Sequence, residues 1–131
     1  MIESELYKLA KRAFNKDEVP VACIIVKNNK IISKAYNLKE RKKNPLYHAE
    51  IIAIKKACKK EKSWRLDECE LYVTLKPCNL CIEAIKSARI KKVYYYIENS
   101  KEQSNKIVIE KKNDEGNKFK ELLTTFFKSK R

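Results

Sequence analysis

The sequence predicts an α/β fold, a three-layer α/β/α sandwich around one mixed sheet of about five strands. Three observations predict it. Short runs of β-branched and aromatic residues alternate with amphipathic stretches of helical period along the chain. The 131 residues, 44% of them apolar, suffice for one domain with a real core and are too few for two. No internal repeat, low-complexity tract or long linker interrupts the pattern, so one domain is expected over residues 1–131.

Each element has its own signal. Ile2, Leu6, Leu9, Ala10, Ala13 and Phe14 fall on one helical face between Lys and Glu, which predicts a helix over residues 2–15. Val19 to Val26 is a β-branched run and reads as a buried strand. Asn28-Asn29 is a turn signal, and Lys30 to Tyr36 reads as the returning strand of a hairpin. Asn37 to Leu46 is polar, contains Pro45, and is expected to be a loop. From His48 to about Lys60 the pattern is helical and ends basic, as the helix dipole favours. Glu70–Leu75 is expected as a strand, Cys78–Ala88 as a helix and Lys91–Ile97 as a further strand. Lys106–Glu110 is expected as a fifth strand, and Gly116–Lys128 as a helix with Leu122, Leu123, Phe126 and Phe127 on its apolar side. The polar stretch 98–105 between the last two strands is short for a parallel crossover, which takes about a dozen residues or more. Either one helical turn bridges them or they pair antiparallel.

Composition narrows the function classes. The formal net charge is +14. That is the electrostatic footprint of a nucleic-acid binder. It is equally the bias of an A/T-rich genome, since Lys outnumbers Arg and Gly occurs once. No stretch approaches a membrane span, and the first fifteen residues are amphipathic rather than a secretory leader. A cytoplasmic, reducing location is expected. The five cysteines are then thiols or metal ligands rather than a disulfide framework. Cys23 and Cys58 read as core thiols, and Cys69 has no spacing partner.

Two short motifs carry the chemistry. His48-Ala49-Glu50 and Pro77-Cys78-Asn79-Leu80-Cys81 both follow a turn and open a helix. Cys78 and Cys81, three apart, share a face of the first turn, where the helix dipole favours thiolates. His48 and Glu50 can both reach past the end of their helix into one site. One imidazole and two sulfurs suit Zn²⁺, one ion per chain, and leave a tetrahedral position for water, as in catalytic sites. Glu50 is then the proton acceptor beside it. A closed structural site needs a fourth ligand. The candidate, Cys69, stands a strand of about six residues away, roughly 20 Å.

At these residues the chain resembles the cytidine and deoxycytidylate deaminase superfamily, and more narrowly the bacterial tRNA-specific adenosine deaminases. The resemblance includes Glu18-Val19-Pro20-Val21, His48-Ala49-Glu50-Ile51-Ile52-Ala53-Ile54, Arg65-Leu66, Leu71-Tyr72-Val73-Thr74-Leu75 leading into Pro77-Cys78, Ser87-Ala88-Arg89-Ile90 and Phe126-Phe127-Lys128 with Lys130-Arg131. It implies a cytidine deaminase-like fold and zinc on His48, Cys78 and Cys81. Glu50 would be the catalytic proton shuttle of a hydrolytic deamination. It further implies base contacts from Asn37, Val19, Pro20, Ala49 and Pro77, and a homodimer. By position alone Asn37 is equally an ordinary turn asparagine.

The chain departs from the family pattern at named places. Lys76 stands where the family has Glu, Ala22-Cys23 replaces Gly-Ala, and Ile82-Glu83 replaces small residues. The Gly-rich stretch after the fourth strand is absent, which bears on RNA recognition and not on the metal.

The leading expectation is conversion of adenosine to inosine at the wobble position of a tRNA anticodon, with the anticodon arm as partner. The alternatives are a deaminase of a free base, nucleoside or nucleotide, and a zinc-bearing RNA-binding subunit with little turnover. Tyr47, Lys42, Lys43, Phe127, Lys128, Lys130 and Arg131 are the candidate RNA contacts. Each has a plain alternative in loop packing, core packing or a solvated terminus. Tyr94-Tyr95-Tyr96 reads as strand packing rather than a stacking platform.

Overall fold

The computed structural model describes residues 2–98 and 108–130. Five helices and five strands are described: α1 (Ile2–Asn15), β1 (Ala22–Lys27), β2 (Lys30–Tyr36), α2 (Lys39–Lys42), α3 (Ala49–Glu61), β3 (Cys69–Leu75), α4 (Asn79–Ser87), β4 (Lys92–Ile97), β5 (Val108–Lys111) and α5 (Lys118–Lys128). A 3₁₀ turn at Glu115–Asn117 leads into α5. The sheet runs β2-β1-β3-β4-β5. β1 is antiparallel to β2 and β3, and β3, β4 and β5 are mutually parallel. This is the mixed five-stranded sheet the sequence predicts. The parallel β4–β5 pairing removes the antiparallel alternative. Residues 106–107 of the expected fifth strand, and 99–105 of the polar stretch, lie outside the described residues.

The pleat explains the three layers. Along β1, Cys23 and Ile25 face one way and Ala22, Ile24 and Val26 the other, and all five are buried. Cys23 and Ile25 join Leu71, Val73, Val93 and Tyr95 in a core closed by Ala49, Ile52, Ala53 and Ala57 of α3 and Ile85 of α4. Ala22, Ile24 and Val26 join Tyr96 in a second core closed by Leu6, Leu9 and Ala10 of α1 and Phe119 and Leu122 of α5. The Tyr96 hydroxyl donates to Glu3 at 3.0 Å, tying β4 to α1. The three consecutive tyrosines are therefore packing residues, with Tyr94 stacked on Tyr72 at 4.7 Å between centroids.

Element ends shift by a residue or two, and three larger features differ from the expectation. β1 begins at Ala22 rather than Val19, because Pro20 offers no N–H and Val21 turns back to bond the Val19 carbonyl at 2.7 Å. The expected loop 37–46 contains α2, one turn of helix held from outside by Glu18. Phe127 is not on the apolar side of α5: it is 48% exposed and packs edge-on against the buried Phe126. Among the described residues, no helix is long and apolar enough to cross a membrane.

Candidate active site

The site forms where the carboxyl ends of β2 and β3 meet the starts of α3 and α4, the place where open α/β sheets bind ligands. His48 is the N-cap of α3 and Cys78 the N-cap of α4, both in extended backbone, and neither side chain caps its own helix. Asn37 caps α3 instead. Its Oδ1 accepts the Ala49 N–H at 2.7 Å, which leaves the His48 ring to the site. Glu50 and Cys81 follow in the first turns, both buried.

The ligand atoms of His48, Cys78 and Cys81 lie within 4.8 Å of one another, the one such cluster of His, Cys or acidic groups among the described residues. Cys69 sits buried at the start of β3 and is not part of it. The helix starts do not make two thiolates by themselves. Hydrogen bonds from Cys81 and His48 pull the Cys78 thiol down to about 3, and the same bond raises Cys81 well above its usual range. Two adjacent sulfurs repel a second negative charge unless a cation neutralises it. The bond to Cys78 also raises His48, against the opposing effects of burial and the positive charge of Lys39. A nitrogen and two sulfurs converging at this distance suit Zn²⁺, with one tetrahedral position left over.

Glu50 lies against this cluster with its carboxyl pushed up to about 7, chiefly by burial, with Cys78 adding to the shift and His48 and Cys81 opposing it. A carboxyl poised there can take and return a proton near neutrality. His48, Glu50 and Cys78 line a cavity of about 160 Å³ with Asn37, Val19 and Lys76. A cavity of about 150 Å³ holds one aromatic ring, so this one suits a single heterocycle.

The expected site residues divide into two groups. Val19 and Asn37 line the cavity. Ala49 contributes the N–H that fixes Asn37, and Pro20 and Pro77 are buried in the adjoining turns. Tyr47 packs partly buried against the α3 core, and Lys42 and Lys43 are exposed beside the cavity without lining it. Lys130 pairs with Asp17 and lines a second, larger groove of about 550 Å³ with Lys16, Arg41 and Phe126. Phe127 and Lys128 are exposed on α5, and Arg131 lies outside the described residues.

Three features took their structural meaning only from the fold. Glu18, 1% exposed, accepts the N–H groups of Glu40 and Arg41 at 3.1 and 2.7 Å and so pins α2. A lone acid before an apolar run was the available hint. Lys76 is disposed of by pairing with Glu98 at 3.3 Å, above the Tyr95 ring. The run Lys39–Lys43 is the basic cluster that the sequence places best to meet a polyanion, with a solvated loop as its plain alternative, and Lys39 is the residue of that run that lines the cavity.

Comparison with known proteins gives the family. The MafB19-like deaminase family matches residues 2–131. A tRNA-specific adenosine deaminase of Rickettsia bellii is 50% identical over 99 residues, 74% of this chain and 68% of that protein. The chain spans 57 to 68% of the length of the curated relatives it matches. Among solved structures, a tRNA:A34 deaminase studied for A-to-I editing at the wobble position of transfer RNA superposes with a TM-score of 0.78 at 28% identity, over 84% of this chain and 95% of that one. Guanine deaminase from Bacillus subtilis superposes with a TM-score of 0.69 at 37% identity, over 75% of this chain and 65% of that one. With its cavity, its His-Cys-Cys cluster and its cytidine deaminase-like fold, the chain belongs to the MafB19-like deaminase family and is a hydrolytic deaminase.

Proposed function

We propose that the chain converts adenosine to inosine at the wobble position of a tRNA anticodon, with one Zn²⁺ held by His48, Cys78 and Cys81. The observation that carries this reading is Glu50, buried on the wall of a one-heterocycle cavity beside three converging metal donors. The relatives at about half identity supply the substrate class, since they are tRNA-specific adenosine deaminases.

When bound, the metal supplies a Lewis acid that makes a water acidic near neutral pH. Glu50 takes a proton from the attacking water and passes it to the ring nitrogen next to the amine-bearing carbon. Water oxygen bonds to that carbon, Glu50 takes the remaining proton from the added hydroxyl and gives it to the amine, and the carbon–nitrogen bond breaks to release ammonia. Adenosine and water become inosine and ammonia. Asn37, its Oδ1 fixed by Ala49, has its amide nitrogen available to donate to the base, and Val19 lies against it. Pro20 and Pro77 frame the turns, and the +14 charge favours a polyanionic substrate in a salt-dependent manner.

A homodimer and a cytoplasmic location belong to the same reading. Leu46 and Leu80, exposed in the segments that carry His48 and the two cysteines, are apolar surface that pairing would cover. The five free cysteines suit a reducing compartment.

The guanine deaminase likeness favours one second reading, deamination of a free base. The test incubates the zinc-loaded protein with an anticodon stem-loop carrying adenosine at the wobble position and, separately, with cytosine, cytidine, deoxycytidylate and guanine. Ammonia release and inosine in the RNA are measured. Inosine in the RNA alone is the expected result. Turnover of a small molecule alone would overturn the tRNA reading in favour of the second.

A further inference from the structure

Two lysines stand on the walls of the catalytic cavity, on either side of β1, and their charges are differently placed. Lys76, at the exit of β3, is neutralised by Glu98 at 3.3 Å, and Glu98 in turn accepts the Tyr95 hydroxyl at 2.7 Å. Lys39, at the start of α2, has no carboxylate partner among the described residues. Its backbone is nevertheless fixed. Glu18 grips the next two residues through two hydrogen bonds, and Asn37, two residues earlier, is bonded to α3.

The α2 turn is also a ridge between two concavities. Lys39 lines the cavity on one side, Glu40 and Arg41 line the larger groove on the other, and Val19 lines both. A nucleotide with its base beside Glu50 must lead its sugar and phosphate out of a space that holds one heterocycle. The ridge is the wall shared with the groove, and Lys39 is its one cation on the cavity side, without an ion-pair partner among the described residues. In the groove, Asp17 and Glu40 offset part of the charge of Lys16, Arg41 and Lys130.

We propose that Lys39 binds the phosphate of the nucleotide whose base enters the cavity, and so selects phosphate-bearing substrates over free bases and nucleosides. The proposal rests on the deaminase reading above. A flexible ammonium on a pinned backbone supplies a charge-assisted contact that a phosphate rewards and a neutral ribose does not.

The experiment compares the zinc-loaded wild type with Lys39→Ala, Lys39→Arg and Lys59→Ala, the last removing one charge from the far end of α3. Kinetics are measured with the anticodon stem-loop, adenosine 5′-monophosphate and adenosine, and stem-loop binding is followed by anisotropy across a salt series. Lys39→Ala is expected to raise KM for the stem-loop about tenfold with kcat within about twofold, and to flatten the salt slope by about 0.7 to 0.9. Lys39→Arg should retain most of the affinity, Lys59→Ala should match the wild type, and Lys39→Ala should affect adenosine kinetics far less than stem-loop kinetics. Wild-type RNA turnover with an unaffected Lys39→Ala overturns the proposal alone, as does an equal loss in Lys59→Ala. A wild type that deaminates the monophosphate but not the RNA overturns the tRNA reading, and a Lys39-dependent KM for the monophosphate then upholds the phosphate contact. Turnover confined to free bases or nucleosides overturns both.

Discussion

In the proposed reaction Glu50 answers to two opposing demands. Catalysis wants a carboxyl that exchanges a proton near neutrality, and burial delivers it by raising the group to about 7. The same burial strains the fold. A carboxyl whose folded value exceeds its unfolded one holds its proton more tightly when folded. In metal-stripped protein, the contribution of Glu50 to stability therefore falls as pH rises from about 4.5 and levels off above about 7. The shift corresponds to roughly 3 kcal/mol. Glu50→Gln is expected to keep one metal per chain by elemental analysis while losing at least about a hundredfold in kcat. Urea unfolding of the stripped variant should show it more stable than the stripped wild type at pH 8, with the difference vanishing near pH 4.5. Near-wild-type turnover would remove Glu50 from the proton path. A pH-independent stability difference would mean that its burial is not what the variant relieves. The convergence of His48, Cys78 and Cys81 beside Glu50 was legible in the sequence because ligand types at helix starts leave few readings. The unequal protonation of the two sulfurs was not, since it arises from a contact between them rather than from the helix that carries both.

At the scale of elements, the chain turns corners with little help from glycine. Asn28 and Asn29 form the hairpin turn, and Lys43 and Lys62 close α2 and α3, all with positive φ. Asparagine tolerates that region, and lysine does so less well. Lys62 lies at the end of α3 away from His48, so Lys62→Gly should raise stability by about 0.5–1 kcal/mol without changing kcat, measured by thermal and urea unfolding. A loss of stability would show that the Lys62 side chain contributes more than its backbone strain removes. The helices and strands with strong period were legible for the reason this cap is not: burial repeats along an element, whereas a cap is one residue. The start of β1 was missed because Pro20 breaks pairing only once its neighbours are known. The α2 turn was missed because its support, Glu18, comes from outside it. The exposed Phe127 shows the limit of reading an apolar pair on a helix, whose face accommodates only Phe126.

At the scale of the whole molecule, two helix starts that lie some 30 residues apart in sequence meet because the sheet order places β2 and β3 on either side of β1. A metal on His48, Cys78 and Cys81 would then cross-link α3 to α4 and stabilise the fold through its own binding. Stripping the metal with a chelator is expected to lower the wild-type Tm by about 5 °C or more. Cys78→Ser should melt near the stripped value with or without chelator. If the wild type melts identically in both conditions, the cluster does not couple metal to folding.

The sequence by itself determined the layered α/β architecture, the donors and the acid, because periodicity and ligand chemistry are local properties of a chain. It also held the resemblance that led to the deaminase family. Tertiary structure alone decided how the many lysines are placed and paired. It joined Lys76 to Glu98 and set Lys39 on the cavity wall without an ion-pair partner among the described residues, since the partner of a charge depends on which distant elements the fold brings beside it.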